Sequence, residues 1–315
     1  MKVYSIFLVL FSVSMANSYV HNVNCKFVNF LLYTCQIDSQ TIYNDETLAL
    51  NFTGEHLSDK GNADVQRIQI FNSNIRLIHP QFFTTFNNIY DVTIYKGVSQ
   101  IQPFAFMNAS SLTFISITFS VDLKHLEAHA FTGARKLLQL NLENNNIETI
   151  NEDAFNGAGS LTTLVLKGNK IGQLSPRTFT NLYLLVGLNL NDNRIEFLDG
   201  GLFMNNTNLA EVQLNNNRIN AIERNLLDGF VGFKTFSVKD NVCVDNSWDS
   251  YVNNNIGIIR NGLKTCFDNA DQKANSDVKI FNLEVHGSFS LKFTNGSVLV
   301  QGWSEWECLK MILTC

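Results

Sequence analysis

Proline is nearly missing from this chain, with 3 residues in 315. That excludes a proline-rich linker, and 18 glycines without a three-residue period exclude a collagen-like rod. Charged residues are also scarce, at 16% against 45% hydrophobic, so the chain can bury a core and wholesale disorder is excluded. Positive charge falls short of negative: 23 Lys and Arg face 28 Asp and Glu, a net charge of −5. A nucleic-acid binder needs a basic field, so this balance argues against that class. Beyond the first 20 residues no apolar stretch is long enough to span a bilayer. No CxxC or Cys/His spacing suggests a metal site, and no motif calls for a cofactor.

What the chain has in excess is Phe, 25 residues, and Asn, 41 residues. Its first residues set the expected compartment. Lys2, the apolar run Val3 to Val13 and the small residues Ser14-Met15-Ala16 form a secretory signal, assigned to residues 1–16. The chain is therefore expected to be secreted. In an oxidising compartment six cysteines imply disulfides, with 15 possible pairings. They fall in three sequential pairs, which favours Cys25–Cys35, Cys243–Cys266 and Cys308–Cys315. Cys315 is the last residue and could instead bridge to another chain, giving a disulfide-linked oligomer. Sequons at Asn51, Asn108, Asn205 and Asn295 are candidate glycosylation sites.

A period of 24 residues organises the middle of the chain. Leu137, Leu140, Leu142, Asn145, Ile147, Ile150 and Phe155 recur as Leu161, Leu164, Leu166, Asn169, Ile171, Leu174 and Phe179. The pattern returns from Leu185 and from Leu209, with Leu227 in the Phe place, and ends in a partial copy at Phe233 to Asn241. Weaker copies precede it from Val65, Ile89 and Leu112. The chain is identified by this L-x-x-L-x-L-x-x-N-x-I spacing with the leucine-rich repeat, in seven full copies and one partial copy over residues 65–241.

The spacing dictates an α/β solenoid, a horseshoe with a parallel concave β-sheet. The L-x-L step turns alternate side chains inward from a strand, and each strand stacks beside the next. The Asn turns the chain out of the strand while its amide satisfies backbone groups. The column Phe83, Phe106, Phe131, Phe155, Phe179 and Phe203 is expected behind the sheet. Ser73, Gly97 and Ser120 occupy Asn places. Serine can replace one hydrogen bond and glycine none, so the N-terminal part of the sheet is expected to be irregular and less stable.

A solenoid has two open ends to cover. Residues 17–64, with Cys25 and Cys35, are assigned to the N-terminal cap, and residues 242–266 to a C-terminal cysteine cap. Polar residues 267–277 are expected to be a linker inside a 267–315 tail. That tail contains a β-hairpin around Asn295-Gly296, pairing Phe293 with Val298 and Leu291 with Val300, and Val278 to Val285 could add a third strand. No heptad supports a coiled-coil stalk.

Together the signal, cysteine-bounded cap, regular repeats and C-terminal cysteine region resemble the leucine-rich immune proteins of mosquitoes, most of all a subgroup without a coiled coil. The resemblance covers residues 1–266 well and 267–315 poorly. It implies an extracellular role in innate immunity, and the fold alone does not.

The working surface is read from the x positions of the strands. Phe71, Tyr95, Phe114 and Phe119 place aromatics on the concave face of the early repeats, beside Arg67, Asp91 and Lys96. Exposed aromatics with cations have the composition of a protein-binding hot spot. A one-residue slip in these repeats would instead turn the rings inward. The expected partner is a protein or a microbial or host surface, with a non-immune adhesion or developmental module as the alternative. An enzyme is third: His125-Leu-Glu-Ala-His129 resembles H-E-x-x-H, but Glu127 is one place late.

Overall fold

The structure is a computed structural model that describes residues 20–42, 49–230, 233–249, 256–276, 279–283, 289–294 and 297–301. The proposed signal, Asn295, Cys308 and Cys315 lie outside the described residues.

Inward Ile, Val and Leu at alternate positions build one eleven-stranded sheet. Its repeat strands are parallel, from Arg67–Phe71 through Asp91–Tyr95, Phe114–Thr118 and Gln139–Asn141 to Thr235–Ser237. The cap supplies the first two strands, Lys26–Asn29 and Tyr33–Asp38. The second is in phase with the repeats: Cys35 faces Ile68 and Ile37 faces Ile70. Thus the cap is itself a turn of the solenoid, tied by the Cys25–Cys35 disulfide.

The return path is built mostly from turns, because a 24-residue period leaves too little chain for a long helix. On that side the rings stack as expected. Successive centroids from Phe83 to Phe203 are 5.6, 5.7, 5.7, 6.2 and 6.1 Å apart. The file continues through Phe230, Phe233 and Phe236 to Trp248. Offset aromatic pairs of this kind add about 0.5–1.5 kcal/mol beyond their buried area.

At the strand exits, Asn145, Asn169, Asn193, Asn217 and Asn241 repeat one hydrogen-bond set. The Asn193 Nδ2 donates to the Leu166, Leu190 and Asn191 carbonyls at 3.0, 3.1 and 3.1 Å. Its Oδ1 accepts from the Ile171 N–H at 3.0 Å. One side chain therefore joins two repeats.

The early repeats depart from expectation. Their strands are five residues long and fully paired, so this part of the sheet is regular. Glycine also replaces part of the asparagine. The Gly97 carbonyl accepts from the Ile75 N–H at 2.8 Å, while Ser73 and Ser120 accept through Oγ at 3.2 Å. The φ of Gly97 is +92°, and a Cβ there would lie 1.6 Å from the Ser73 oxygen, so no other residue fits.

The C-terminal cap also differs. Residues assigned to a linker instead form the helix Lys264–Ser276, which follows Ile256–Gly262. Leu263, Cys266, Phe267 and Ala270 are buried, a helical spacing that the polar composition concealed. Cys266 is bonded to Cys243. Arg224 pairs with Asp268 and Asp271 from this helix, and Lys264 together with Arg224 holds Asp268 below the usual carboxylate range. Gly262 lets the end of the preceding helix, Ile256–Gly262, approach Trp248, whose ring lies 2.3 Å from where a Cβ would sit. In the tail, Phe289–Thr294 and Ser297–Gln301 pair with the expected register, and Lys279–Leu283 adds the third strand.

Replacing Asn193 with Ala leaves the buried Ile171 N–H unpaired and takes one donor each from the Leu166, Leu190 and Asn191 carbonyls, which keep Asn169, Asn217 and the Gly168 N–H. A loss of about 3 kcal/mol is expected in urea unfolding, and a loss below about 1 kcal/mol would show that the asparagines do not join the repeats.

Candidate functional site

Burial settles the register of the early strands. Ile68 and Ile70, Val92 and Ile94, and Ile115 and Ile117 face the core, so the residues between them face the concave side. Phe71, Tyr95 and Thr118 are neighbours across three strands. No slip turns the rings inward.

The candidate residues form two groups rather than one. Arg67 and Asp91 are bound to each other, at 2.8 Å through Nε and 2.6 Å through the terminal nitrogen. Thr93 adds a bond to the other Asp91 oxygen at 3.0 Å. Half-buried Phe114 is the next residue in that column. At the far end of the strands, about 13 Å along the backbone, lie Phe71, Tyr95, Lys96 and Phe119. There Tyr95 is 37% and Phe119 42% exposed, with ring centroids 5.1 Å apart. The Lys96 ammonium lies 5.2 Å from the Tyr95 ring centre. A groove of about 550 Å³ opens beside them, lined by Asn72, Lys96, Gly97, Phe119, Val121 and Asp122 among others.

Two members of this group have left-handed backbones, as Phe104 and His129 do outside the concave sheet. One residue per turn is left-handed as the chain leaves the sheet: Ser39, Asn72, Lys96, Phe119, Asn144, Gly168, Asp192, Asn216 and Asp240, with φ between +46° and +69°. Asn, Asp and Gly adopt this state at little cost, whereas Lys and Phe do not. Besides Ser39 at the cap, the two unfavourable residues, Lys96 and Phe119, are adjacent in the column, and both belong to the exposed group. Strain held in this way marks a surface whose side chains matter.

Elsewhere on the concave face polar groups satisfy one another. The Asn191 amide donates to Gln213 at 3.0 Å, Asn215 accepts from the Ser237 hydroxyl at 2.7 Å, and Lys167 lies 3.6 Å from Glu143. The fifth-position column, including Gln36, Gln69, Thr93 and Ser116, also lines this face. It was missed although the same L-x-L alternation places it. The candidate zinc residues have other neighbours: His125 meets the Thr149 hydroxyl at 2.8 Å, and His129 stacks on Phe104.

Replacing Lys96 with Asn relieves a left-handed lysine. Stability is expected to rise by about 1 kcal/mol in urea unfolding, and Asn144→Lys to lower it. The opposite signs would remove the strain argument.

Residues 61–186 match the family model for the BspA type leucine rich repeat region, in 6 copies, and residues 159–219 match a second leucine rich repeat model. No curated protein matches the chain. Among solved structures, it is similar to a chain of the TLR13–ssRNA13 complex, with TM-score 0.53 and 24% identity over 57% of this chain and 25% of that one. It is also similar to a chain of the LRIM1/APL1C complex, with TM-score 0.56 and 18% identity over 71% of this chain and 39% of that one. The chain thus spans well under half the length of either, and the likeness is one of fold. From its repeats, its asparagine and phenylalanine columns and these matches, the chain has the leucine-rich-repeat fold, with repeats of the BspA type over residues 61–186.

Proposed function

We propose that the chain is a secreted binding protein of extracellular innate immunity, whose concave face docks a protein ligand at Phe71, Tyr95, Lys96 and Phe119. The observation that carries this reading is the exposed, touching pair Tyr95 and Phe119 beside Lys96, with Phe119 and Lys96 both held left-handed. An aromatic pair next to a cation offers area, stacking and charge to a partner. Secretion is supported by the N-terminal apolar run and by disulfides in both caps. Asn51, Asn108 and Asn205 are exposed and lie outside the concave sheet, so glycans on them would leave that face open. The immune role rests on the sequence resemblance and on sharing a fold with the LRIM1/APL1C and TLR13 complexes. A binding role suits a surface built from fixed columns better than catalysis does.

The partner is sought by affinity capture from the native extracellular fluid. Phe71→Ala with Tyr95→Ala is then expected to weaken its binding by tenfold or more, about 1.4 kcal/mol, without loss of secretion. Unchanged affinity would remove the docking site. Expression that does not rise after microbial challenge would favour an adhesion or developmental role.

A further inference from the structure

Immediately after the ladder asparagines, three successive repeats place a cation in the same position: Lys170, Arg194 and Arg218. Their backbones are equivalent. Each N–H donates to the preceding repeat, Lys170 to Ile147 at 2.8 Å, Arg194 to Ile171 at 2.9 Å and Arg218 to Ile195 at 2.9 Å. The three therefore stack along the solenoid axis at the strand spacing, about 5 Å. They stand on the lateral edge, outside the concave sheet, with both arginines exposed and Lys170 half-buried.

Like charges at this spacing repel, and the solenoid pairs opposite charges where it can, as with Arg67–Asp91 and Glu143–Lys167. None of the three lateral cations has an ion-pair partner among the described residues. Glu196, two residues past Arg194, pairs with none of them. An acidic chain thus carries a local row of uncompensated positive charge, a field that attracts a linear anion.

We infer that Lys170, Arg194 and Arg218 bind a sulfated polysaccharide laid along the solenoid axis. The two guanidinium forks take sulfate oxygens in bidentate pairs and the ammonium acts as a point charge. Exposed Asn220, two residues beyond Arg218, offers an amide to sugar hydroxyls. Single-stranded nucleic acid fits less well, because it needs aromatic faces for its bases. The column has none, and the neighbouring Phe197 ring is covered by Lys273 at 5.0 Å. A protein hot spot would need a buried anchor that these three residues do not supply.

The test uses the full chain and immobilised heparin, with binding measured as a function of NaCl. Lys170→Gln, Arg194→Gln and Arg218→Gln together are expected to weaken binding by about tenfold or more and to flatten its salt dependence. A charge-matched control, Arg135→Gln, Lys136→Gln and Lys239→Gln, should stay within about twofold of the unaltered chain. Desulfated heparin and a single-stranded DNA of equal charge should bind weakly. Equal loss in both triple variants would reduce the effect to net charge and overturn the site. DNA binding as tight as heparin would overturn the ligand class. Phe71→Ala with Tyr95→Ala should leave heparin binding intact, so failure here and failure of the concave site are distinguishable.

Discussion

Where each repeat leaves the sheet, its backbone must place N–H and C=O groups that no strand can pair. The buried asparagine amide places them for two repeats at once. Asn193 binds carbonyls of its own turn and of the turn before, and accepts an N–H from that earlier turn. No repeat is satisfied alone, so stability is a property of neighbours. Most other features follow from this, including the invariant strand spacing and the parallel direction. The left-handed residue just before each asparagine aims the amide back across the strand exits.

The phenylalanine file does on the convex side what the asparagines do at the turns. It fixes the distance between repeats by contact rather than by hydrogen bonds. The ends of such a stack have no neighbour, so both columns must be closed. Leu227 takes one Phe place, and the file then turns through Phe230, Phe233 and Phe236 onto Trp248. At the other end Phe27 and Phe52 pack on Phe86. A disulfide lies in each cap, where chain with few neighbours would otherwise fray.

A stack this regular presents chemistry in columns, and each column repeats one side-chain type unless something interrupts it. The early repeats are the interruption. Serine and glycine take over the acceptor part of the asparagine, and the left-handed place beside them carries Lys96 and Phe119. In the later repeats the same face is closed by its own amides. The contrast between a self-satisfied half and an open aromatic half gives this scaffold a direction, with the lateral cations forming a separate feature on another side.

Much of this was legible in the chain because the repeat states it many times. The 24-residue period determined the parallel sheet, both columns and the concave residues, and the alternation around Asn295-Gly296 determined the hairpin register in the tail. Local chemistry sufficed for those, since burial alternates with the strand and the turn residue must be polar. Only the tertiary structure decided what depended on contacts between turns. It placed Tyr33–Asp38 in the main sheet, turned residues 264–276 into a helix paired to Arg224 through Asp268 and Asp271, and paired Arg67 with Asp91 instead of leaving it for a partner. It also let the Gly97 carbonyl stand in for an amide. A backbone oxygen is the same in every residue, so its use at one position is set by which turn lies beside it.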